Sequence, residues 1–299
     1  MTASDWTAID GPQDIRLVVA DMDGTLLDEH GAIPEGFWNT LERLHARGAR
    51  FVPASGRQYA TLRAMFADHV GYELSYVAEN GGVVAADGKI VEVNGVDTAI
   101  TRALIDAVDR AGETLAPDAS DTSDGTSGAH DVGLVLCGLN SAYVSRRDEP
   151  FLAECRKYYH ALEIVDDLRD VARKVEAREE TMIKLAVFDF GDAEATARLL
   201  LAPVTRGYAM VVSGAHWVDV MNPETDKRRG VEALQRHLGV TPAQTAVFGD
   251  YLNDLGMLAA GGCSFAMGNA HPDLKRAARY LAPTNAEHGV LRVLDRLID

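Results

Sequence analysis

Short apolar runs alternate with stretches of helical spacing at both ends of the chain, and this rhythm constrains the fold more than any other feature. Residues 15–20 (Ile-Arg-Leu-Val-Val-Ala), 50–54 and 74–78 have the length and character of buried strands. Helical spacing separates them over 36–47 and 58–69. The pattern returns later, with helices expected at 228–238, near 252–259 and at 287–297, and strands at 245–248 and 263–267. Such alternation predicts βαβ units and a parallel sheet. In between, short strands are expected at 82–85, 90–93, 132–137, 183–188, 210–213 and 217–221, with at least three helical stretches among them. We read residues 86–221 as a second α/β domain inserted into a core built from 1–85 and 222–299. A chain of 299 residues is long enough for both. The Asp/Ser/Gly-rich segment 117–131 reads as a mobile loop.

Composition narrows the partners. Formal net charge is −16, a field that repels nucleic acid and anionic membranes, so neither is an expected partner. No apolar run approaches the roughly 20 residues needed to cross a bilayer. The first 13 residues lack the basic start and apolar stretch of a signal peptide. Three cysteines without CxxC spacing read as reduced thiols, so a cytoplasmic protein is expected. The same field would repel an anionic small molecule, which therefore needs a strong local positive site.

Four groups of residues carry chemistry. Asp21-Met22-Asp23-Gly24-Thr25 follows the first strand, at the end of an open α/β sheet where ligands bind. Two carboxylates so spaced suit a nucleophile and a proton donor, although Asp-Gly is equally a common turn pair. Ser55-Gly56-Arg57 follows the second strand. A serine hydroxyl and a glycine backbone can meet a phosphoryl oxygen there, or the serine can simply cap the next helix. Lys227, Arg228 and Arg229 open a helix, against the helix dipole by roughly 0.3–1 kcal/mol each when exposed. A nearby anion would relieve that for Lys227, while the two arginines suit surface acids. Lastly, Asp250, Asn253 and Asp254 fall on one side of a first helical turn, hard oxygen donors suited to Mg²⁺, or plain helix-capping acids.

Magnitudes favour reading the four groups together. Hydrolysis of a phosphate monoester is accelerated by enzymes up to about 10²¹-fold. Acid–base help supplies about 10²–10⁴ and one charge-stabilising donor about 10²–10³. Nucleophile, acid, cation and metal must therefore converge, and this chain offers all four at successive strand ends.

The order DMDGTL, ASGR, a lysine and GDYLND resembles the four signature motifs of the haloacid dehalogenase superfamily. The finer resemblance is to its Cof-type sugar phosphatases, carried also by Glu79-Asn80-Gly81-Gly82, Ala266-Met267-Gly268-Asn269-Ala270 and Glu287-His288-Gly289-Val290. The resemblance implies a Rossmann-like doubly wound core with an inserted α/β cap. It also implies a Mg²⁺-dependent phosphatase acting on a small phosphate ester. Asp21 would be the nucleophile and Asp23 the proton donor, with Ser55 and Lys227 on the phosphoryl oxygens. Asp21, the backbone carbonyl of Asp23 and Asp250 would hold Mg²⁺, with Asp254 supporting metal and lysine. Gly56, Arg57, Asn80 and Asn253 would lie against the substrate. Arg228 stands where the family usually has glycine. A phosphomutase or phosphotransferase using the same aspartyl-phosphate, and a non-catalytic binder of phosphorylated ligands, are the competing expectations. His216, Trp217 and the acidic cluster 121–124 read as structural, and the spacing of the nine histidines makes no zinc site.

Overall fold

The computed structural model describes residues 3–113, 131–213 and 215–298. The loop expected at 117–131 lies outside these residues except for Asp131, and the acidic cluster 121–124 lies wholly outside them. The chain divides into two compact units, Met1–Val93 with Asp226–Asp299, and Asn94–Thr225.

The first unit holds strands β1 (Ser4–Asp5), β2 (Leu17–Asp21), β3 (Arg50–Ala54), β4 (Tyr76–Ala78), β5 (Val83–Ala86) and β6 (Lys89–Val93). The second holds β7 (Val132–Gly138), β8 (Ala142–Val144), β9 (Leu162–Ile164), β10 (Met182–Asp189), β11 (Ala209–Val212) and β12 (Trp217–Met221). The chain then returns to the first with β13 (Thr245–Gly249), β14 (Cys263–Ala266) and β15 (Tyr280–Leu281). Among the described residues, the first unit's sheet has the order β1-β15-β14-β13-β2-β3-β4-β5-β6. It is parallel from β1 to β4 and turns antiparallel at the β4–β5–β6 edge. Every residue of β2 is buried, because a central parallel strand is covered on both faces and so reads as an unbroken apolar run. The chain leaves β2 toward β3 on one side and re-enters on the other as β13. That reversal is the topological switch point, where ligands bind beyond the strands' carboxyl ends.

The sequence reading put the junctions after residues 85 and 221. In the structure β6 pairs with β5 over Val83–Ala86, so residues up to Val93 belong to the first unit. Being half-exposed at a sheet edge, β6 has no pattern that ties it to the core.

The second unit is a mixed sheet of order β11-β12-β10-β7-β8-β9. Along β10, Leu185 and Val187 enter one apolar cluster and Ala186 and Phe188 another, the period of two expected of a strand covered on both faces. Trp217 packs against Phe188 with ring centroids 4.9 Å apart. The Nδ1 of His216 meets the Asp189 carbonyl at 2.9 Å. Both are packing residues of this unit. Among the described residues, no helix is long and apolar enough to cross a membrane.

Candidate active site

Asp21 is the last residue of β2, paired in register with Ala54 at the end of β3. Beyond it, Met22–Leu26 forms a single wide helical turn, broken by Gly24 at φ +79°. A side chain at position 24 would put its Cβ 2.3 Å from Asp250 Oδ2. Glycine is therefore required twice over, for backbone conformation and for the approach of the Asp250 carboxylate. Ser55 directly follows β3 and is buried, and its Oγ accepts from the Arg57 amide at 3.2 Å. Asp250 directly follows β13.

Lys227 joins these strand ends. It is the first residue of the helix Lys227–Leu238, whose N-cap Asp226 accepts from the Arg228 amide at 2.8 Å. That cap supplies the negative end that three successive cations lack. Lys227 Nζ donates to Asp21 Oδ1 at 2.5 Å and to Asp254 Oδ1 at 2.8 Å, with the ammonium fully buried. Arg228 turns outward to Glu232 at 2.7 Å. The other oxygen of Asp254 accepts from the amides of Asp250 and Tyr251 at 3.0 and 3.3 Å. Asp254 thus folds the Asp250 turn and anchors Lys227 together.

Asp21, Asp250 and Asp254 each offer an oxygen within 4.8 Å of the others. With Lys227 among them, a fully ionised cluster has two negative charges in excess. Burial pushes the Asp21 carboxyl up, to about 7, against the pull of Lys227. Burial and the neighbouring charge of Asp254 push Asp250 up to about 6. Burial alone would lower Lys227, but Asp21 and Asp254 outweigh it and hold the ammonium above its ordinary range. An all-oxygen donor set with two uncompensated charges fits a hard divalent cation.

The remaining expected residues divide. Arg57 forms a two-armed ion pair with Asp23, Nε to Oδ2 at 2.9 Å and Nη2 to Oδ1 at 2.6 Å. Asn80 adopts φ 55° and its amide donates to the Ser55 carbonyl at 2.9 Å. A Cβ on Gly56 would lie 3.0 Å from Asn80 Nδ2, so Gly56 and Asn80 are packed against one another. Asn253 is exposed while Asp254, the next residue, is fully buried, so the turn does not present them alike. The sequence reading missed the supports of the Asp23 turn. Asn269 Nδ2 donates to the Gly24 carbonyl at 2.8 Å, and Asn285 Nδ2 to the Leu27 carbonyl at 3.0 Å. Asn269 sat within a motif the resemblance had already marked; Asn285 left no signal.

A family model for haloacid dehalogenase-like hydrolases matches residues 18–294. The chain belongs to that family. Within it, the chain is a phosphatase of the Cof type. It is 32% identical to the 5-amino-6-(5-phospho-D-ribitylamino)uracil phosphatase YbjI of Escherichia coli, over 95% of this chain and 96% of that one. It is 27% identical to the HMP-PP phosphatase of Cronobacter sakazakii, over 87% and 86%. A solved Eubacterium rectale structure shares the fold with TM-score 0.78, at 24% identity over 94% and 98%. A haloacid dehalogenase-like hydrolase of Bacteroides thetaiotaomicron does so with TM-score 0.73, at 21% identity over 95% and 99%. Phosphatases of this family use a divalent metal, which agrees with the carboxylate cluster.

Proposed function

We propose that the protein hydrolyses small phosphate monoesters with Mg²⁺ through a phosphoryl group held transiently on Asp21. The observation that carries this reading is the buried Lys227 ammonium, 2.5 Å from Asp21 and 2.8 Å from Asp254. It orients a carboxylate at the tip of the central strand, within reach of the Asp250 and Asp254 oxygens. Asp21, Asp250 and the Asp23 carbonyl would hold the metal, supported by Asp254. Bound there, Mg²⁺ supplies positive charge to the phosphoryl oxygens in a site otherwise too negative to admit them.

Asp21 then has two tasks that its surroundings fit. Lys227 fixes Oδ1, and the free oxygen attacks phosphorus as the ester P–O bond breaks. Asp23, two residues on, hands a proton to the departing oxygen and later draws one from the water that hydrolyses the aspartyl-phosphate. Lys227, Ser55 and the backbone at Gly56 hold the phosphoryl oxygens, with Arg57 and Asn253 beside the phosphate and Asn80 against the substrate. The inserted unit corresponds to the cap that the resemblance implies, and choice of the leaving group is assigned to it. Sugar and sugar-alcohol phosphates stand first among substrates, since the relative named for a phosphoribitylamino substrate carries a phosphorylated polyol.

The test is Asp21→Asn. The change is nearly isosteric, so the unfolding temperature should stay within a few degrees while Mg²⁺-dependent phosphate release vanishes. Acid quenching of the wild type during turnover should trap a phosphoprotein that the variant lacks. Substantial phosphate release by the variant would sink the nucleophile assignment. Recovery of an isomerised ester in place of free phosphate would make the enzyme a mutase instead.

A further inference from the structure

The Asp23 carboxylate is 60% exposed, on a turn with a glycine at its next position, yet both its oxygens are occupied by Arg57. Left alone, such a side chain would sample several rotamers. Arg57 is far better fixed: its side chain is 25% exposed, its amide donates to Ser55 Oγ at 3.2 Å, and its carbonyl accepts from the Glu79 amide at 3.1 Å. The Arg57 backbone is thus tied to the two loops that frame the site, and from there the guanidinium reaches across to the carboxylate. Its fork matches a carboxylate in two directions at once, which a lysine cannot do.

We propose that Arg57 is the positioning residue for the proton-transferring Asp23, holding it through one arm of the fork while the other arm opens to free the reacting oxygen. This rests on the role given to Asp23 above. The two arms differ in freedom rather than in length, because Nη2 sits at the far end of the side chain although its bond is the shorter, 2.6 Å against 2.9 Å. The Nε–Oδ2 bond lies nearer the anchored end of the arginine and persists, so the carboxyl stays oriented. The Nη2–Oδ1 bond opens, and Nη2 turns to an oxygen of the arriving phosphoryl group. Freed of Nη2, Oδ1 takes up a proton from solvent and faces the ester oxygen. As the Asp21–phosphorus bond forms and the ester P–O bond breaks, the electron pair left on that oxygen takes the proton from Asp23. In the second half, the same oxygen, still oriented by Nε, accepts a proton from water. Nothing is oxidised or reduced. An anion is needed to draw Nη2 away, so the exchange couples substrate arrival to release of the acid.

Leaving-group dependence tests this, because a p-nitrophenolate leaves readily without a proton and an alkoxide does not. Asp23→Asn, Arg57→Gln and Arg57→Lys are compared with wild type on p-nitrophenyl phosphate and glycerol phosphate, reading kcat and KM separately. Asp23→Asn should lose about 10²–10⁴-fold in kcat on the alkyl ester and much less on the aryl ester. Arg57→Gln should show the same asymmetry, its alkyl kcat falling at least about tenfold further than its aryl kcat, with KM raised on both. Arg57→Lys should lie between Gln and wild type. The double variant should fall no further on the alkyl ester than Asp23→Asn alone. Equal kcat losses by Arg57→Gln on both esters, with Asp23→Asn still asymmetric, would overturn the proposal and leave Arg57 a phosphate ligand only. Were Asp23→Asn itself to lack asymmetry, the role of Asp23 would fall first and this proposal with it. Should Arg57→Gln not fold, Arg57→Lys carries the same comparison.

Discussion

A carboxyl group buried beside other carboxylates resists ionisation, and here that resistance sets the terms of metal binding. Asp21 is raised to about 7 by burial and Asp250 to about 6 by burial and Asp254. Without a cation, the folded protein therefore holds protons that the unfolded chain has released above pH 4. Stability from these two groups is present at low pH and is lost as pH rises from about 4 to 7. A divalent cation takes the place of those protons and reverses the trend. The expected outcome is an unfolding temperature raised by Mg²⁺ at pH 8, with little rise at pH 5. Apparent affinity should weaken by up to roughly 10³-fold between the two, since each proton displaced costs about tenfold per pH unit below its pKa. A melting series with and without Mg²⁺ across that range reads it directly. A Mg²⁺ shift of equal size at pH 5 and pH 8 would mean the cation binds elsewhere.

At the level of elements, the site depends on how closely a loop and a helix approach. Gly81 lies at φ +97°, and a Cβ there would sit 2.3 Å from the carbonyl of Asp226, the cap of the lysine helix. Gly81→Ala must push that helix start away or strain the loop. We expect a loss of about 1–3 kcal/mol in stability and a fall in kcat, because Lys227 moves with the helix. Urea unfolding and steady-state rates check both, and unchanged kcat would show that Lys227 tolerates displacement. The motif Glu-Asn-Gly-Gly was visible in the sequence while this contact was not, because it joins residues about 145 positions apart. The same limit applies to the Arg57–Asp23 pair. The parallel strands were legible because burial on both faces makes unbroken apolar runs. By contrast β1, β8, β9 and β15 have two or three residues each, too few to show a period. The helix Pro272–Ala277, six residues with one buried side chain, left no stripe to read.

On the scale of the whole molecule, the formal charge of −16 opposes a phosphate dianion long before the site is felt. Among the described residues, Arg57 and Lys227, the cations at the site, are already paired with acids. Asp23 neutralises Arg57, Lys227 is shared by two aspartates, and a bound divalent cation brings the carboxylate cluster only to neutrality. Attraction is therefore confined to contact distances, and long-range repulsion slows the encounter. The Debye length shortens from about 30 Å at 0.01 M salt to about 8 Å at 0.15 M, well inside the dimensions of a protein of this size. With free Mg²⁺ held constant and saturating, kcat/KM on a dianionic ester should rise roughly two- to fivefold over that range, while kcat stays level because a bound ester is already held at contact distances. Most enzymes of anionic substrates present a positive funnel and lose kcat/KM with added salt, so the sign of the slope discriminates. A falling kcat/KM would locate a positive surface that guides the ester in from a distance. A rising one would show that this phosphatase relies on short-range capture by Lys227, Ser55 and the metal.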